Sequence, residues 1–72
     1  MKLDLFDVVV LKETLLNENI RQGALGAVVE VLDDKKEVYL IEFADKNGEA
    51  YAILDLKSSQ LLKVFEEPIS VA

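Results

Sequence analysis

Five short segments of this sequence hold residue types that could do chemistry. Asp45-x-Asn47-Gly48 has the oxygen ligands with which a calcium loop opens. A working loop of that kind needs about a dozen residues, a closing carboxylate and a helix on either side. Here the segment stands between two apolar runs. Asn-Gly accepts the positive φ angles of a tight hairpin, so a turn is the simpler reading. Gly23-x-x-Gly26 could cradle a phosphate if a helix N-terminus stood behind it. The run that follows is Ala27-Val28-Val29-Glu30-Val31-Leu32, a strand by content, so these two glycines read as a bend or bulge. Asp33-Asp34 and Glu66-Glu67 pair carboxylates, but acid–base work needs them in a cleft with separated pKa values. One pair falls in a charged turn and the other in a tail. Ser58 and Ser59 beside Lys57 could formally make a Ser–Lys nucleophile, yet local capping of a short turn accounts for them. The chain has no histidine and no cysteine. That removes the Ser–His and Cys–His nucleophiles, the usual zinc ligands and every disulfide. These residues predict no catalytic site, no metal and no cofactor.

The elements that would carry these residues are short. Seventy-two residues make one domain. With 51% of residues hydrophobic, the chain has enough apolar surface to fold. Val8-Val9-Val10-Leu11 suits a strand apolar on both faces. Leu3, Leu5 and Phe6 precede it, as the start of that strand or as a cover for one end of the fold. Lys12 to Gln22 reads as a long loop whose Leu15, Leu16 and Ile20 tuck onto the core. After the 27–32 strand comes the turn Asp33 to Lys36, then Val38 to Phe43, the Asn47-Gly48 hairpin and Ala50 to Leu54. Ser58 would cap a single 3-10 turn before a last strand, 62–65. Glu66-Glu67-Pro68 ends it, since proline cannot donate to a ladder. Residues 66–72 are then a tail. Five strands, a long first loop and one 3-10 turn before the last strand predict an all-β, SH3-like barrel over residues 1–65.

The hairpin allows a register test. With Asn47 and Gly48 as the two loop residues, Phe43 pairs with Ala52, Ile41 with Leu54 and Tyr39 with Leu56, all apolar and facing inward. The opposite face carries Val38, Leu40, Tyr51 and Ile53. Outward faces of small sheets are usually polar, and a contiguous apolar patch marks an interface unless another part of the chain covers it. These four are the candidate interface, with the N-terminal segment and the Ile69 to Val71 tail as the rival covers. Tyr39, on the inward face, reads as core rather than as part of an aromatic peptide groove.

Two stretches carry a resemblance. Leu5-Phe6-Asp7-Val8-Val9-Val10-Leu11-Lys12-Glu13 and Arg21-Gln22-Gly23-x-x-Gly26-x-Val28-Val29-Glu30-Val31 resemble a family of short prokaryotic proteins of unknown function. The hairpin and Leu56-Lys57-x-x-Gln60-Leu61 resemble it as well. The resemblance spans residues 3 to 65 and implies a small SH3-like barrel with no catalytic residues. The Gly23–Val31 stretch is also similar to the glycine turn of KOW modules, which hold RNA or protein through basic loops. Here only Lys12 and Arg21 flank it.

Charge narrows the partners. Fourteen acidic against eight basic residues leave a net charge of −6, and Arg21 is the one arginine. Phosphate-binding surfaces cluster Lys and Arg. Nucleic acid and anionic lipid are therefore disfavoured, and a basic protein is electrostatically favoured. Asp4 and Asp7 interrupt any leader-like apolar stretch, and no run approaches the length of a membrane span. The expectation is a cytoplasmic, non-catalytic module that acts through protein–protein contact, homo-oligomerisation included. An acidic antitoxin or immunity-type protein that neutralises a basic partner is one alternative. A KOW-like RNA or ribosome-associated module is the other.

Overall fold

A computed structural model describes residues 2–64. It contains five strands: β1 (Val8–Leu11), β2 (Leu25–Asp33), β3 (Val38–Ala44), β4 (Ala50–Lys57) and β5 (Leu61–Lys63). Two lone 3-10 turns interrupt them, Leu16–Glu18 in the first loop and Ser58–Gln60 before the last strand. The strands form one antiparallel sheet in the order β4-β3-β2-β1-β5. All-β architecture, five strands and the 3-10 turn before β5 match the sequence expectation. The sheet is not closed, because β4 and β5 remain its two edges and do not pair. The expected tail, residues 66–72, lies outside the described residues.

Apolar residues dominate the strands, β-branched ones most of all in β1, and their alternation sets the inward face. Val9 and Leu11 of β1, Val28 of β2, Tyr39, Ile41 and Phe43 of β3, Leu56 of β4 and Leu61 of β5 are buried together. Leu3 and Ile20 join them from outside the sheet. Leu3 closes the inner face beside Tyr39, whose hydroxyl accepts a hydrogen bond from the Leu3 N–H at 3.0 Å. That bond satisfies a polar group that burial would otherwise penalise. Asp7 anchors the N-terminal turn. Its carboxylate accepts from the Asp4 N–H at 2.8 Å and lies 3.3 Å from the Lys63 ammonium.

Two sequence expectations for the first quarter of the chain need correction. Leu16 does not tuck onto the core but stands 86% exposed, whereas Ile20 is buried and Leu15 packs against the core. A bridge between Leu15 and Ile20 pins the loop ends together, which leaves Leu16 exposed at the tip. Leu5 and Phe6 are also exposed.

The β3–β4 hairpin has the predicted pairs by an unpredicted route. Phe43 pairs with Ala52, Ile41 with Leu54, Tyr39 with Leu56, Glu42 with Ile53, Leu40 with Asp55 and Val38 with Lys57. The loop is not the two-residue turn, because Gly48 has φ +80° while Asn47 stays out of the left-handed region. Asp45 instead organises a longer turn. Its carbonyl accepts from Gly48 N–H at 2.9 Å. Its carboxylate accepts from the N–H groups of Asn47 and Glu49 at 2.9 and 3.0 Å. The Asp45 N–H donates to the Glu49 carbonyl at 2.9 Å, so three residues form the loop and Ala44 pairs with Ala50. That odd count would turn β4 over. A register shift between Phe43 and Ala44 leaves Tyr51 unpaired as a bulge and restores the parity.

Candidate functional site

The pairing lists the outward face row by row. Leu62, Val10 and Leu25 form one row across β5, β1 and β2. Val8, Ala27, Glu42 and Ile53 form the next across β1 to β4. Glu30, Leu40 and Asp55 make the third, and Asp33, Val38 and Lys57 the fourth. The apolar ground therefore lies in the first two rows. Leu25, Tyr51 and Ile53 are each 53% exposed and Leu62 is 52% exposed. A shallow groove of about 230 Å³ lies on this face, with Val8, Leu25, Ala27 and Ala44 as its apolar lining and Glu42 and Asp45 as its acidic lining.

Of the four residues proposed from sequence, Ile53 stands open on this face and Tyr51 is exposed at the β4 bulge, outside the rows, while Val38 and Leu40 are half-buried and flanked by charged neighbours. Tyr51 leans its ring against the buried Phe43, with centroids 6.4 Å apart and planes 30° apart. Leu25 and Leu62 were missed. Their signal is the unbroken Val8–Leu11 run, since a strand apolar on both faces must offer one of them to neighbours that are apolar too.

The other sequence candidates are structural. Gly23 sits at a turn with φ +89°, a conformation that favours glycine. Gly26 occupies neither a turn nor a bulge. It lies within β2, paired with Val9 and Phe43, and a Cβ there would come within 2.8 Å of the Ile41 Cγ2. The bulges of β2 fall further on, at Val29 and Leu32. Asp34 binds Lys2 at 3.1 Å on the open surface, and the hydrogen bond and charge of that carboxylate raise the Lys2 pKa. Ser58 donates to the Glu37 carboxylate at 2.9 Å, and the short turn is capped by Gln60, whose Oε1 accepts from Lys57 N–H at 3.0 Å. Ser58 is thus not the cap, and its hydroxyl is engaged with a carboxylate. Among the described residues no three carboxylates gather closely enough to hold a metal ion. Glu66 and Glu67 lie outside those residues. No helix among the described residues is long and apolar enough to cross a membrane.

Residues 5–63 match a single family, described as a domain of unknown function, DUF4926. The chain belongs to that family. The match covers both stretches on which the sequence resemblance rested, and it brings neither a barrel nor a KOW module with it. No curated protein and no solved structure matches the chain at a significant level.

Proposed function

We propose that this DUF4926 chain is a non-catalytic binding module that acts through protein–protein contact. One observation carries the reading. Leu25, Leu62 and Ile53, each about half exposed, lie in two adjacent rows of one sheet face, Leu25 lines a shallow groove there, and the equally exposed Tyr51 stands at the bulge of β4. Solvated apolar surface of that extent is costly in a domain this small, and covering it returns about 25 cal/mol for each Å² removed from water. Glu42 and Asp45 beside the groove, with the net charge of −6, favour a partner with basic residues around an apolar centre. The same charge favours a narrower form of the reading, an acidic protein that neutralises a basic one.

The test is a photo-crosslinking residue placed at position 53 of the full chain in the cells that make it. The expected result is one discrete adduct, with a second chain or with another copy, which disappears when Leu25→Lys is added. The same group at Lys35, in the exposed β2–β3 turn at the far end of the sheet, should give none. If position 53 yields no discrete adduct and the purified chain stays monomeric across a sedimentation series, the face is not an interface.

A further inference from the structure

β4 is the longer edge of the sheet. It runs for eight residues and, among the described residues, pairs only with β3, whereas β5 at the opposite edge has three residues. Alternate backbone amides and carbonyls of an edge strand point away from its single neighbour and form a template for another strand. Natural edges are usually blunted by proline, lysine or bulges. β4 has no proline, its only lysine is its last residue, and its one bulge falls at Tyr51 near its start.

Beside this edge lies a groove of about 550 Å³. Leu54 and Leu56 of β4 supply one side, and Leu15 and Leu16 of the first loop supply the other. The exposure of Leu16, a large apolar side chain at the loop tip, has no structural use in the isolated chain. Glu13, Glu18 and Asp55 also line the groove, and no basic side chain does.

We propose that this edge and groove take up an extended peptide of a partner protein, built of alternating apolar and basic residues, which adds to β4 as a sixth strand. Successive side chains of a strand point to opposite faces. The apolar set enters the groove between Leu16 and Leu54, and the lysines or arginines meet Glu13, Glu18 and Asp55. Main-chain bonds to β4 give affinity, and the groove gives selectivity. A second copy of this chain suits the site poorly, because it would bring a net charge of −6 and the same acidic rim against itself. The proposal rests on the binding-module reading but uses an edge two strands away from Leu25 and four from Leu62, so the two can fail separately.

The probe is a synthetic octapeptide of alternating lysine and valine, titrated into the full chain and followed by amide NMR. Saturable binding is expected, with shifts concentrated at residues 13–18 and 50–57. Leu16→Asp with Asp55→Lys should weaken it at least tenfold while circular dichroism stays unchanged, since both side chains are exposed. Leu25→Lys, on the outward face of β2 and two strands away from β4, should leave the affinity as it was. The same peptide N-methylated at every residue keeps its side chains and charges but cannot donate to an edge, and it should not bind. Equal binding of the methylated peptide would reduce the effect to charge attraction and overturn strand addition. Absence of binding, or shifts abolished by Leu25→Lys, would overturn the assignment of the site. A dimer of the chain that Leu16→Asp dissociates would overturn the choice of occupant.

Discussion

Gly48, Gly26 and Tyr39 show three distinct ways in which one residue holds this fold. Gly48 has φ +80° with open space around its Cα, so only its backbone conformation forbids a side chain. Gly48→Val should cost about 1–3 kcal/mol in denaturant unfolding, the range for a β-branched residue forced to positive φ. Gly26 has no such conformation, and its constraint is the approach of β3. A Cβ would meet the Ile41 Cγ2 at 2.8 Å, the Glu42 carbonyl at 3.0 Å and the Phe43 ring at 3.1 Å. Gly26→Ala should cost about 1–3 kcal/mol through overpacking, because backbone as well as side chains must give way. Pairing it with Ile41→Val, which removes a methyl from that side chain, should recover part of the loss. Tyr39→Phe leaves the Leu3 N–H without its partner at 3.0 Å and should cost about 1–2 kcal/mol. An unchanged unfolding midpoint would show that water replaces the hydroxyl there.

At the scale of elements, the sheet has three strands with two neighbours and two with one. β1, β2 and β3 are bonded on both sides, and they hold most of the buried side chains. Edge strands open locally at lower free energy than central ones. Native-state hydrogen exchange should therefore find the slowest amides in β2 and β3 and faster ones in β4 and β5. Equal protection of β4 in the monomer would mean that its edge is already covered. The β3–β4 connection follows from the same balance. A three-residue loop alone would place Tyr51 and Ile53 inward and Ala52, Leu54 and Leu56 outward. Burying Leu56 and keeping Leu54 against the core outweighs the one unpaired position that a bulge at Tyr51 costs.

For the molecule as a whole, charge and apolar area act in opposite directions. The net charge of −6 keeps copies apart in dilute salt, while the outward face favours their contact. Any self-association should strengthen as salt screens that repulsion, since the Debye length shrinks from about 10 Å at 0.1 M to about 3 Å at 1 M. Sedimentation at the two ionic strengths reads this directly. Single- and double-stranded oligonucleotides should bind weakly or not at all at low salt. Micromolar affinity with a steep salt slope would reverse the charge argument.

The strands, the Gly48 turn, the inward set from Tyr39 to Leu56 and the absence of Cys–His chemistry were legible in the residues themselves. They depend on composition and on a period of two along the chain, both of which are local. The function of Gly26 and the bulge at Tyr51 were not legible. Nor were the exposure of Leu16 and the rows that carry Leu25 and Leu62. Each depends on which strand lies beside which, at what offset, and on how closely two backbones approach. An apolar residue at a loop tip and one beneath it have the same type in the sequence. Only the Leu15–Ile20 bridge decides that Ile20 is buried and Leu16 is left in water, because burial is a property of the neighbours and not of the side chain.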